Sequence, residues 1–211
     1  MWTVFSNIGD GAVTLPVAAL CVGWLAFFNV RQALRLTGVL AIGLAIVGAT
    51  KIMYAGWGIS VPALDFRVVS GHTMLSTSVW MVAITLQLKW WRQPPLPGVI
   101  AGMAIGAFTG ISRLLNHSHS LPEVIAGWLL GVFVAAFFLR TAVNVEFERF
   151  KPVWSTLSLL LVSTLGYGHE APFQYLIETR SPEIRNHTPS VMALLSRMRY
   201  RVLSHDATSA K

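Results

Sequence analysis

The stretch GAVTLPVAALCVGWLAFFNVR, residues 11–31, runs twenty residues without a charge before Arg31 closes it. An α-helix rises 1.5 Å per residue, so about 20 apolar residues cross the roughly 30 Å hydrocarbon core of a bilayer. A helix that is apolar all round has no face for water. The pattern recurs at residues 33–53, 73–88, 96–111 and 121–139, with a shorter sixth block at 153–167. Of the 211 residues, 54% are hydrophobic and 12% charged. That is about half the charged share of a soluble domain. The expected fold is all-α, a polytopic membrane helix bundle with five to six transmembrane spans over residues 1–168. A polar, basic C-terminal tail over 169–211 follows. Within it Val191 to Leu203 mixes apolar residues with Arg197, Arg199 and Arg201. That composition suits either a helix lying on the membrane surface or a solvated tail.

The net charge of +7 raises nucleic acid as a partner, but the basic residues sit between and after apolar blocks. Cytoplasmic loops and anionic lipid head groups explain that placement better, so no nucleic acid is expected. Cys21, the single cysteine, lies inside an apolar block and offers neither a disulfide nor a cysteine metal site. The start lacks the basic region of a signal peptide. Lys89-Trp90-Trp91-Arg92 reads as an interfacial anchor, with rings at head-group level beside cations.

Spans alternate in direction, which sorts the connections onto two faces. Arg31, Arg35, Lys89, Arg92, Arg140, Arg149 and Lys151 fall on one face, expected to be cytoplasmic because it gathers the positive charge. The other face collects Lys51, Arg67, His72, Arg113, His117, His119 and Glu123 from two separate connections. Ionisable groups at span ends are costly unless they snorkel, pair or work. The first cluster holds Lys51 and then Asp65-Phe66-Arg67-Val68-Val69-Ser70-Gly71-His72-Thr73. The second is Ser112-Arg113-Leu114-Leu115-Asn116-His117-Ser118-His119-Ser120-Leu121-Pro122-Glu123. A Ser-Gly turn opening a helix presents N–H groups that attract anions, and cations around it suit a phosphate. A histidine able to attack phosphorus, with a carboxylate four residues on to orient its ring, completes an inventory for phosphoryl transfer.

These residues resemble the signatures of the type 2 phosphatidic acid phosphatases. Ser70-Gly71-His72 resembles the second signature. Ser112-Arg113, five residues and then His119 resembles the third, with Glu123 where that family has Asp. Lys51 resembles the lysine opening the first. Two further positions differ. The Arg-Pro expected seven residues after the lysine falls at Gly58, where no arginine stands, and Val69 replaces the usual proline before Ser70. The resemblance implies His119 as nucleophile forming a phosphohistidine, Glu123 holding its tautomer, and His72 protonating the leaving oxygen. Lys51, Ser70, Gly71 and Arg113 would bind the phosphate, with no metal and no other cofactor. Arg67, the other basic residue of the first cluster, is expected to replace part of the missing arginine; an ion pair with Asp65 is the alternative.

Each residue has a plainer reading. Ser70-Gly71-His72 also fits a turn with Thr73 as N-cap. Lys51 and Arg113 suit snorkelling. Ser120 to Glu123 is a capping box. His117 has the wrong spacing for the nucleophile, and His169, His187 and His205 lie in the tail. Trp24, Trp57, Trp80 and Trp128 suit packing. The expected activity is a membrane phosphatase hydrolysing a lipid phosphate or isoprenyl diphosphate, in a bacterial inner membrane with its site on the periplasmic face. A vanadium haloperoxidase shares this kind of site but is soluble, and a transporter or non-catalytic protein retaining an anion site is the other alternative.

Overall fold

The computed structural model of the protein describes residues 9–142 and 151–168. Among them six α-helices follow one another: α1 (Gly11–Phe28), α2 (Val30–Trp57), α3 (Gly71–Trp90), α4 (Leu96–Leu115), α5 (Leu121–Thr141) and α6 (Pro152–Gly166). No strand occurs among the described residues; Val61 and Phe66 form one isolated bridge. Four helices, α1, α2, α4 and α5, are long and apolar enough to cross a membrane.

The position of α3 explains its different composition. It carries Thr73, Ser76, Thr77, Ser78 and Thr85, all buried. This helix packs against α1, α2, α4, α5 and α6 and presents little surface to lipid. Most of these hydroxyls find partners inside the bundle: Ser76 Oγ and Thr109 Oγ1 are 2.9 Å apart, and Thr77 Oγ1 donates to the Thr73 carbonyl at 2.6 Å, whereas Thr85 Oγ1 is buried without one among the described residues. The contact with α4 is set by glycines at every fourth position. A Cβ on Gly98, Gly102 or Gly106 would collide with Thr85, Met81 or Thr77. Without a hydrophobic drive between helices in lipid, such close backbone packing supplies the association.

The connections gather at two ends. At one, Gln32 Nε2 donates to the Thr141 carbonyl (2.7 Å), Lys89 Nζ to the Ala142 carbonyl (2.7 Å), and Gln87 Nε2 to Thr156 Oγ1 (2.8 Å). Here α1 turns into α2 at Asn29. That residue ends the first helix and caps the second, accepting the Gln32 N–H on its side chain at 3.2 Å. Trp90 is not an interfacial anchor. It is buried, packed edge-on against Trp24 and Phe28 at 5.4 Å, while Trp91 is exposed beside it. The short α6 lies along α1 from end to end: Ser155 and Ser158 border a cavity with Trp24 and Phe28, and Gly166 abuts Ala12. Arg149, the tail over 169–211 with its Val191 to Leu203 stretch, and the three tail histidines lie outside the described residues.

Candidate active site

The opposite end is organised around one carboxylate. Glu123 lies in the first turn of α5 and is 1% exposed. A charge buried this deeply costs several kcal/mol unless it is paired and hydrogen-bonded, and Glu123 is both. Its Oε1 accepts the N–H groups of Arg67 (2.9 Å) and Val68 (3.3 Å) and lies 3.4 Å from Arg67 Nε. Its Oε2 accepts the Ser120 N–H (3.2 Å) and meets His119 Nδ1 at 2.7 Å. The capping box is present, so cap and histidine partner are the same side chain. The backbone N–H of Ser70 donates to the Glu123 carbonyl at 3.1 Å, and Ser120 Oγ donates to the Asp65 carbonyl. These bonds tie the loop after α2 to the start of α5, and so hold the two clusters together.

The serine-glycine turn is clamped from three sides. Ser70 precedes α3, is fully buried, and shares a 2.9 Å hydroxyl contact with Thr73, so Thr73 lies inside the helix instead of capping it. Gly127 of α5 presses on the Ser70 carbonyl so closely that a Cβ would collide. Val69 N–H donates to Thr50 Oγ1 of α2 at 3.1 Å, which brings the turn bearing Lys51 beside Ser70. First-turn N–H groups of a helix have no acceptor within it, so α3 opens toward this space with its donors.

His119, His72 and Arg113 share the cluster. The His119 ring is 12% exposed. Burial holds it below its ordinary value of 6.5. The Glu123 hydrogen bond and charge oppose that shift, while Arg113 and His72 are near enough to add to it. His72 Nε2 lies 3.3 Å from Asp10 Oδ2. Arg67 pairs with Glu123 and feels Asp65 more weakly; the loop does not fold around an Arg67–Asp65 pair. His117 is exposed and left-handed (φ 53°), closing the turn after α4. Gly58 ends α2 at φ 66°, its N–H returning to Met53 and Tyr54 carbonyls. That left-handed geometry suits glycine and disfavours the arginine expected there.

Two residues went unnoticed in the sequence. Asp10 precedes the first span, and the same alternation of faces that gathered the clusters places it with them. Thr50 carries no such signal, since a threonine inside an apolar block reads as filler.

The family model of the PAP2 superfamily matches residues 58–146. The chain belongs to the PAP2 superfamily. Its match contains the Ser70 turn, Arg113, His119 and Glu123, and membership supports a phosphatase-type function. The chain is also 37% identical over 186 residues to an "Uncharacterized 22.5 kDa protein in cps region" of Klebsiella pneumoniae, covering 83% of this chain and 88% of that relative. No solved structure matches it significantly.

Proposed function

We propose that this PAP2 protein is a metal-independent lipid phosphatase that hydrolyses a lipid phosphate or isoprenyl diphosphate through a phosphohistidine. The observation that carries the reading is the 2.7 Å contact between His119 Nδ1 and the buried Glu123 carboxylate. With Nδ1–H held there, Nε2 keeps its lone pair and is the nitrogen left to attack phosphorus. Burial favours the neutral ring that attack requires.

In the first step the His119 Nε2–P bond forms and the bond from phosphorus to the leaving oxygen breaks. His72 gives that oxygen a proton. In the second, His72 takes a proton from water, the hydroxide attacks phosphorus, and the P–N bond breaks to release inorganic phosphate. Lys51, Arg67, Arg113 and the turn at Ser70 and Gly71 offset the phosphate charge. A lipid substrate suits a site at the ends of lipid-facing helices, in a bacterial inner membrane with the site on the periplasmic face. Purified protein in detergent should release phosphate from some member of a panel of phosphatidate, phosphatidylglycerol phosphate and isoprenyl diphosphates. Vanadate should inhibit and EDTA should not. No release from the whole panel would favour an anion-binding role, which the glycine at 58 otherwise leaves as the second reading.

A further inference from the structure

Asp10 is the N-cap of α1, and the structure divides its carboxylate between two tasks. Oδ1 accepts the Ala12 N–H at 2.8 Å, which is the capping bond. Oδ2 is turned to His72 Nε2 at 3.3 Å. The two side chains are only 18% and 16% exposed. The chain reaches this position through a tight passage. Gly9 sits so close to Thr109 of α4 that a Cβ would collide, and Gly166 of α6 presses on the Ala12 carbonyl. Asp10 is therefore clamped between two helices that are remote in sequence, which capping α1 alone would not require. Arg113 also feels the Asp10 charge, which places the carboxylate at the phosphate end of the cluster.

We propose that Asp10 is the positioning residue of His72: Oδ2 accepts the Nε2–H, fixing the ring and leaving Nδ1 to exchange the proton with the leaving oxygen and then with water. The inference rests on the proposed role of His72. It makes the site a double arrangement, one carboxylate–histidine pair for the nucleophile and a second for the acid. It also enlists α1, which lies outside the matched family region.

The cap and the positioning role separate chemically. Asp10→Asn can keep its amide oxygen on the Ala12 N–H, which sets an NH2 donor against His72 in place of an acceptor; Asp10→Ser keeps a cap that cannot reach the ring. Both variants should lose about 10²- to 10⁴-fold in single-turnover cleavage of dodecyl phosphate, whose alkoxide needs a proton. The first-turnover burst from p-nitrophenyl phosphate, whose leaving group needs none, should stay within a few-fold of the parent. Adding His72→Ala to Asp10→Asn should cost nothing beyond His72→Ala alone. Equal losses on both esters, or losses that multiply in the double variant, would show a structural cap and overturn the inference. Should His72→Ala cleave dodecyl phosphate normally, the acid assignment itself fails and Asp10 falls with it. A normal Asp10→Asn beside an impaired His72→Ala removes Asp10 alone.

Discussion

Glu123 carries more of this site than any other residue, because four N–H groups and an arginine converge on it. Glu123→Gln keeps the shape and removes the charge. Whichever way the amide turns, its NH2 faces donors. The expected outcome is a fall in kcat of about 10²- to 10⁴-fold with a smaller change in KM, as when a histidine loses the carboxylate that sets its tautomer. Steady-state kinetics in detergent check it, and a loss confined to KM would argue against the role. His119→Ala should abolish both turnover and acid-labile phosphoenzyme, while His117→Ala, at an exposed turn, should retain both; labelling with a radioactive substrate decides. The pH profile follows from burial. His119 titrates below 6.5 in the folded protein, so the neutral nucleophile persists as pH falls through that value. The acid limb of kcat/KM should lie below pH 6.5. Glu123→Gln removes a group that raises the His119 value and should move the limb lower still. An acid limb above 6.5 in the parent would contradict the burial argument.

Between α3 and α5 the site depends on two glycines. Gly127 lies against the Ser70 carbonyl, and Gly131 against the Met74 carbonyl and Thr77. A Cβ at either would push the helices apart, and at 127 it would stretch the Ser70 N–H to Glu123 carbonyl bond directly. Gly127→Ala should therefore lower activity by at least tenfold while the protein remains extractable in detergent as a folded monodisperse species. Gly102→Leu, at the heart of the α3–α4 contact, should instead fail to yield folded protein. Activity of Gly127→Ala equal to the parent, by phosphate release, would mean that the two helices adjust freely. This packing was only partly legible beforehand. The fourth block, residues 96–111, is rich in Gly and Ala, which lipid-embedded contacts favour, but which helix packs on it is not encoded locally. Helix ends were less legible. A charge marks where lipid ends, not where a helix does. The α1–α2 break falls at Asn29, before Arg31, because Asn29 can cap both helices, and α2 continues to Trp57 because Gly58 provides the left-handed stop.

The molecule divides its charges by end, and that division is readable in the sequence. Parity alone brought Lys51, Arg67, His72, Arg113, His119 and Glu123 to one face, because each apolar block must cross and return. It overlooked Asp10 because only the connections between spans were sorted, not the segment before the first. The contacts among Asp10, His72, Arg67 and Glu123 lie at the end opposite Gln32, Lys89 and Thr141. On the latter end stand Arg31, Arg35, Lys89, Arg92, Arg140 and Lys151, at the ends of α1 to α6. Basic residues near short loops are retained in the cytoplasm during insertion, whereas acidic ones contribute little. The site end also carries cations, but only Lys51, Arg67 and Arg113 against those six. The orientation should thus follow the first group. Reporter fusions after residues 32 and 93 should read cytoplasmic, and one after residue 62 should read periplasmic. The reverse pattern would put the phosphate site in the cytoplasm and require a substrate presented from the inner leaflet. A mixed pattern, with 32 and 93 on opposite faces, would mean that α2 and α3 do not both cross.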